Sequence, residues 1–480
     1  MQKTIRFLLK KGILTSPELK TESFEEIKKR IFFLKTKPFV YDGKESDETP
    51  NAFIKSGTEF EKIKIVENYE ESNTKITVKE FISLYNRRYV FLQELLKQRQ
   101  DMHGATTIRK IYSAPDKERV NFIAMVLDMS LTRNNNYILN LEDQTGTIKA
   151  IVTKTKKELF EQVRSITQDE VLGVQGTKSD KVVFVNSLIT PDTPLNKELK
   201  KTPDEIAAVF ISDLHFGSKA FLEKSLNKFV AWINKKTGTK HQKELVEKIK
   251  YLFIVGDLVE GIGIYPGQEK ELLIKDLYAQ YAAFSDFILK IPSHIKIIIC
   301  PGNHDSLRIA EPQPALPKEY VPSLLNKENI LFVSNPSVVN IASSGSFSGL
   351  DVLMYHGFSF PFYADKIEKI RTKGGLENTG SIMKHLLRKR HLAPTHGSTQ
   401  YQPGYLKDPL LIKSTPDFFV SGHVHRSSVD TYRNITLLNC SCWVSQTPYQ
   451  ERRGLVPEPA RAIYVNLKTR KITVLNFLEK

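Results

Sequence analysis

Apolar residues follow two rhythms along this chain. In "SFEEIKKRIFFLK" the residues Phe24, Ile27, Ile31 and Leu34 recur at helical intervals, and Ser23 and Glu26 stand at capping-box spacing. The pattern predicts an N-terminal helical region over residues 1–36. Residues 37–76, with "YDGKESDETPNAFIKSGTE", are polar and turn-rich and read as a linker. Thr77 and Glu80 form a second capping box. It opens a helix carrying Phe81, Leu84, Tyr85, Tyr89, Leu92, Leu95 and Leu96, within a helical stretch 77–105. A packing helix explains it better than a nucleic-acid helix, despite Arg87 and Arg88.

Beyond that point the rhythm shortens. "VNFIAMVLDMSL", "YILNLED" and "IKAIVT" are separated by the turns "TRNNN" and "QTGT". A helical "KKELFEQVRS" and then "EVLGVQGTKSDKVVFVNSLIT" complete three strands, a helix and two strands, the order of an OB-fold β-barrel over 106–192. Such barrels bind nucleic acid or dock proteins, so the fold does not give the function. Phe122, Tyr137, Phe160 and Phe184 are the aromatics here that could stack on bases. Residues 193–205, rich in Pro and Lys, read as a linker. From 206 to 480 the pattern becomes β-α-β, so the chain is expected to be multidomain α/β.

Five apolar runs in this last region each end in polar residues. "AAVFISDLHFGS" ends at Asp213 and His215, "YLFIVGDLVEG" at Asp257, and "IIICPGNHD" at Asn303 and His304. "VLMYHGFS" ends at His356, and "FFVSGHVHR" at His423 and His425. Taken singly, each is an ordinary turn or a surface histidine. Together they are strand ends, where α/β sites assemble. Asp, His and Asn in this number suit two divalent ions of the manganese, iron or zinc kind, and a carboxylate between two cations can bridge them.

Composition adjusts this picture. The 480 residues carry a net charge of +16, which favours a polyanionic partner, nucleic acid before membrane. No apolar run approaches the roughly 20 residues of a membrane span, and lysines interrupt "FLL" near the start, which argues against a signal peptide. Three cysteines, Cys300, Cys440 and Cys442, argue against a disulfide framework and for a cytoplasmic setting. The C-x-C pair sits in apolar "LLNCSCW" and reads as core.

In order and spacing, D-x-H, G-D, G-N-H-D, H and G-H-x-H resemble the calcineurin-like metallophosphoesterase superfamily, over residues 206–480. The resemblance implies a β-sandwich flanked by helices. It places Asp213, His215 and His425 on one metal and Asn303, His356 and His423 on the other, with Asp257 between. His304 would be the catalytic group that meets the phosphate or protonates the leaving oxygen. The second motif, "GDLVEG", lacks the Arg of serine/threonine phosphatases. The flanking stretches "EPQPALPKEYVPSL", "HLLRKRHLAPTHGS" and "QTPYQERRGLVPEPARAIYVNL" resemble the small subunits of archaeal family-D DNA polymerases. That family is related to eukaryotic replicative polymerase B-subunits, which have lost the ligands kept here.

This resemblance implies a 3′→5′ proofreading exonuclease using two divalent metals, manganese first. Its partners would be a large catalytic subunit, the 3′ ends of DNA and a sliding clamp, with no membrane. The rival expectations are a catalytically silent scaffold subunit and a nuclease or nucleotide phosphatase without a polymerase. Arg308 and His396 are candidate substrate contacts, although a surface salt bridge is the better reading of Arg308. The basic run "MKHLLRKRHLAP", with His385 and His391, reads as a helix facing DNA or as a solvated surface.

Overall fold

The computed structural model describes residues 62–71, 78–402, 408–452 and 454–479. The expected helical region 1–36, most of the expected linker 37–76 and the cap Thr77 lie outside these residues.

The described chain begins with β1 (Lys62–Glu67) and α1 (Val78–Lys97). Then come β2 (Arg119–Leu131), β3 (Tyr137–Asp143), β4 (Gly146–Val152), α2 (Lys157–Val163), β5 (Val171–Ser179) and β6 (Val182–Ile189). These five strands close into a small barrel in the order β2-β3-β4-β6-β5. Alternation fills it. Phe122, Ala124 and Val126 of β2 point inward with Leu139, Leu141, Ile148, Ala150, Val174 and Val183. Phe122 is thus a core residue and not a stacking platform, and Tyr137 packs on Phe160 with ring centroids 4.6 Å apart. Of the four barrel aromatics, Phe184 is the exposed one.

The remaining strands are β7 (Ala207–Ile211), β8 (Ile249–Val255), β9 (Lys296–Cys300), β10 (Ile330–Phe332), β11 (Ser337–Ser343), β12 (Leu350–Met354), β13 (Phe418–Ser421), β14 (Ser428–Tyr432), β15 (Ile435–Asn439), β16 (Arg461–Asn466) and β17 (Ile472–Asn476). With β1 they form two six-stranded sheets, β10-β9-β8-β7-β16-β17 and β1-β11-β12-β13-β15-β14. Ala208, Phe210, Tyr251, Phe253 and Ile298 of the first sheet meet Val339, Val352, Phe418 and Leu438 of the second in one apolar layer. The alternate residues Val209, Ile211, Leu252, Ile254 and Ile297 pack against Phe229, Trp232, Tyr281 and Phe284 of the covering helices. Both faces of β7, β8 and β9 are buried, which is why they read as unbroken apolar runs.

Residues 62–67 differ from the linker expected there. Ile63 and Ile65 alternate with lysines and pack on the sandwich, so β1 pairs antiparallel with β11 at the sheet edge. Charged outward positions suit an edge strand and hide its period in a polar stretch.

The barrel and α1 pack on the sandwich through buried polar contacts. Arg88 Nε donates to Asp408 Oδ2 at 2.8 Å and its Nη1 to the Pro394 carbonyl at 2.7 Å. Thr395 Oγ1 lies 2.6 Å from Thr167 Oγ1, and the Lys389 ammonium pairs with Glu170 at 2.5 Å.

Candidate metal centre

β7, β8 and β9 run parallel, as do β12 and β13, so the C-terminal ends of each set share one edge. Asp213, Asp257, Asn303, His356 and His423 leave those five ends. Asp213, His215, Asp257, His423 and His425 have φ between +50° and +67°, left-handed backbone that bulky residues rarely adopt. Non-glycine residues held there concentrate at functional sites. Gly256 (φ +83°) and Gly302 make room, because a side chain on either would collide with His356, and on Gly302 with Asp257 too.

Two groups form. Ligand-type atoms of Asp213, His215 and His425 lie within 4.8 Å of one another, as do those of Asp257, His356 and His423. His425 Nε2 is 3.2 Å from Asp213 Oδ1, and His356 Nε2 is 3.2 Å from Asp257 Oδ2. Asp257 Oδ2 also lies 3.7 Å from His215 Nε2, which places this carboxylate between the groups. His304 joins His215 and Asp257 in a third such set. Asp213 and Asp257 are fully buried, while His304 and His423 are partly exposed and mark the mouth.

The donor atoms fit cations. His356 Nδ1 donates to the Val255 carbonyl at 2.9 Å, leaving Nε2 buried with no aligned hydrogen bond. Asn303 Oδ1 is likewise buried and unpartnered. The Nε2 atoms of His215 and His425 face each other at 3.2 Å. Buried polar atoms normally have partners, so unsatisfied ones beside facing imidazoles and carboxylates suit a bound cation. Burial opposes charge on Asp257, yet His356, His304 and His215 hold its carboxyl well below the usual range. Burial pulls the His356 imidazole down, but Asp257 and Asp213 outweigh it and raise it to about 10. Its Nε2 is therefore where a proton and a cation would compete.

His304 lies at the mouth, its ring 4.7 Å from that of His215. Its N–H donates to Asp257 Oδ1 at 2.9 Å, and its Nδ1 to the Glu260 carbonyl at 2.9 Å, so Nε2 is the free ring position. Burial lowers its proton affinity; Asp257 and Glu260 more than restore it, and the net shift is upward. Asp305 braces the loop, accepting from Gly302 N at 2.8 Å, Leu258 N at 3.2 Å and Tyr281 Oη at 3.2 Å.

Two residues of the site escaped sequence reasoning. Glu260 Oε2 is 3.1 Å from His215 Nδ1, and it orients His304 through its carbonyl. Burial opposes its charge, but His215 and His304 hold its carboxyl at about 2. Its signal was the acid three residues after Asp257 in "GDLVEG". Gln450 Nε2 is 2.8 Å from His425 Nδ1, and nothing in its local sequence announces that.

Arg308 and His396 are not drawn into the group. The Arg308 guanidinium is engaged by Glu71 and the Pro312 carbonyl, and it lies over the Tyr69 ring at 5.3 Å. His396 is exposed, but its N–H bonds Asp169 Oδ2 at 2.7 Å and its ring edge faces Phe81 at 6.3 Å, on the barrel side. Three cations of the basic run have partners within the chain, while Arg388 is exposed. Lys389 pairs with Glu170, Lys384 with Asp430, and Arg390 donates to the Ile412 carbonyl. His391 is buried against Asp408.

The calcineurin-like phosphoesterase family matches residues 207–427. The chain is 39% identical to the DNA polymerase II small subunit of Methanothermobacter thermautotrophicus, over 85% of this chain and 82% of that one. It is 36% identical to that of Methanocaldococcus jannaschii, over 84% and 67%, and 36% identical to that of Archaeoglobus fulgidus, over 82% and 76%. The converging strand ends and these relatives agree: the chain belongs to the archaeal DNA polymerase II small-subunit family and carries a calcineurin-like phosphoesterase domain.

Proposed function

We propose that this chain is the 3′→5′ proofreading exonuclease subunit of a two-subunit archaeal replicative polymerase, hydrolysing phosphodiester bonds at a two-metal centre. One observation carries the reading: ligand-type atoms of Asp213, His215 and His425 and of Asp257, His356 and His423 converge in two groups with Asp257 between them, while Asn303 Oδ1 and His356 Nε2 lie buried with no aligned hydrogen bond. Asp213, His215 and His425 would hold one divalent cation, Asn303, His356 and His423 the other, and Asp257 both. Manganese suits this oxygen-and-imidazole set, with iron or zinc as alternatives. Two cations bound there would lower the pKa of a water and neutralise phosphoryl oxygens.

The protein's own groups do the rest. His304 presents Nε2 at the mouth, with Nδ1 locked on the Glu260 carbonyl. Asp257 and Glu260 favour its protonated form, so it can give a proton to the leaving 3′ oxygen. Glu260 steadies His215, and Gln450 steadies His425. The barrel has the OB-fold element order and would meet DNA or the large subunit, with a sliding clamp as a further partner. A replication protein of this kind works in the archaeal cytoplasm.

The test is end-labelled DNA with a mismatched 3′ end, manganese, and the chain with and without its large subunit. Stepwise shortening from the 3′ end is expected. No cleavage in either setting, together with no bound metal by elemental analysis, would favour the silent-scaffold reading.

A further inference from the structure

The turn after β12 reads "HGFSFPFY", with Phe358, Phe360, Phe362 and Tyr363 close together. Three of these rings pack. Phe360 and Tyr363 are fully buried against Ile382 and Leu386, and Phe362 lies against the same apolar cluster. Phe358 belongs to none of the apolar clusters among the described residues, and it is partly exposed. Its ring meets His423, with centroids 5.4 Å apart and planes at 73°.

That position is fixed by the backbone. Gly357 (φ +114°) turns the chain between His356 and Phe358. Ser359 N donates to Tyr355 Oη at 3.1 Å, Ser359 Oγ to the Leu392 carbonyl at 2.7 Å, and Phe360 N to the Gly357 carbonyl at 2.9 Å. The ring is therefore presented at the rim by a pinned turn. A partly exposed phenyl that packs into no core gains little for the fold.

We propose that Phe358 is the stacking platform for the terminal base of the strand being cleaved, which makes an unpaired, single-stranded end the preferred substrate. The proposal rests on the phosphodiesterase reading of the adjoining centre. A base is one sugar removed from its phosphate, so a phosphate held between the two residue groups brings its base to the rim beside His423. A phenyl ring offers no hydrogen bonds and so accepts any base through its π face. A paired base is already stacked in its duplex and cannot turn onto the ring.

The experiment compares wild type with Phe358→Ala, Phe358→Leu and Phe358→Trp, each first checked for unchanged melting temperature and metal content. Substrates are single-stranded oligonucleotides ending in an ordinary or an abasic 3′ nucleotide. Phe358→Ala and Phe358→Leu should lose about five- to a hundredfold in kcat/KM on the ordinary end, chiefly through KM, with the abasic end unchanged. Phe358→Trp should restore the preference.

Equal losses on both ends, or none, would overturn the proposal. A 2-aminopurine at the 3′ terminus gives a second readout that needs no cleavage. Its fluorescence should be quenched on binding wild type and Phe358→Trp, and less so on binding Phe358→Ala. Wild type that quenches but does not cleave would support the platform while refuting the nuclease; no quenching by wild type would refute the platform.

Discussion

His356 and His391 are both fully buried and both face a carboxylate: Nε2 is 3.2 Å from Asp257 Oδ2 in one case and 3.0 Å from Asp408 Oδ2 in the other. Their surroundings separate them. Asp408 also accepts from Arg88, Tyr401 and Leu410, and His391 Nδ1 accepts from Ala393 N at 2.9 Å. Every one of those polar groups is answered by another. Burial and Arg88 push the His391 imidazole down to about 4, against the pull of Asp408, so it stays neutral. Around His356 no guanidinium among the described residues answers the carboxylates; Asn303 Oδ1 has no hydrogen-bond partner, and His356 Nε2 faces Asp257 without an aligned one. A closed polar network stabilises a fold, whereas an open one is a place for something that has yet to bind.

The sharpest way to break this contrast is Asp257→Asn. Metal content by elemental analysis should fall, and cleavage should drop to background, if Asp257 is the carboxylate shared by both groups as proposed. Metal retained in full would refute the bridging role. His304→Ala should separate chemistry from occupancy: metal content is expected to stay, while kcat falls by about 10²–10⁴. A variant that loses metal along with activity would make His304 a ligand.

The closed network should respond in stability instead. Arg88→Met leaves Asp408 buried beside His391 and is expected to cost about 3–5 kcal/mol by chemical denaturation, with metal content unchanged. The same network predicts a pH dependence. His391 has a folded pKa of about 4 against an ordinary 6.5, so its contribution is complete above pH 6.5 and is lost as pH falls toward 4. The loss should approach about 3 kcal/mol, and His391→Gln should flatten that part of the stability profile. Stability that rises on acidification through this window would contradict the burial argument. Smallest in effect, Glu260→Gln should weaken metal affinity or turnover by about 10–100-fold, as loss of a residue that orients a ligand does. Titration of manganese by calorimetry measures the first, steady-state kinetics the second.

Much of the centre was legible because a buried parallel strand leaves its mark in one dimension. Ile297 to Cys300 is an apolar run, and the residues just past such a run stand at the sheet's edge. Five runs, each closed by Asp, Asn or His, therefore announced a common edge without coordinates. Other residues had no such frame. The basic run around Lys389 read equally as a DNA-facing helix or a solvated surface, and Glu170 and Asp430, distant in sequence, pair with its Lys389 and Lys384. Arg308 forms a salt bridge, the reading preferred for it, but its partner Glu71 lies far along the chain. Phe122 obeyed the alternation of β2, yet which parity faces the barrel interior depends on closure with β5. β1 was hidden because its partner β11 lies far along the chain.

The residue types and their order set the chemistry: carboxylates, imidazoles and an amide at strand ends can hold divalent cations wherever the strands converge. Period-two and helical spacing likewise set the succession of elements, since burial of alternate faces is a local rule. Which polar groups remain unanswered is not local. His356 closes an apolar run and His391 ends a basic one, but only packing gave Asp408 its Arg88 from α1 while leaving Asp257 to face imidazoles. The same packing set Glu260 against His215, Gln450 against His425, and the phenyl of Phe358 at the rim. Charge compensation, hydrogen-bond closure and exposure depend on distances between segments hundreds of residues apart, so they appear only when the chain is folded.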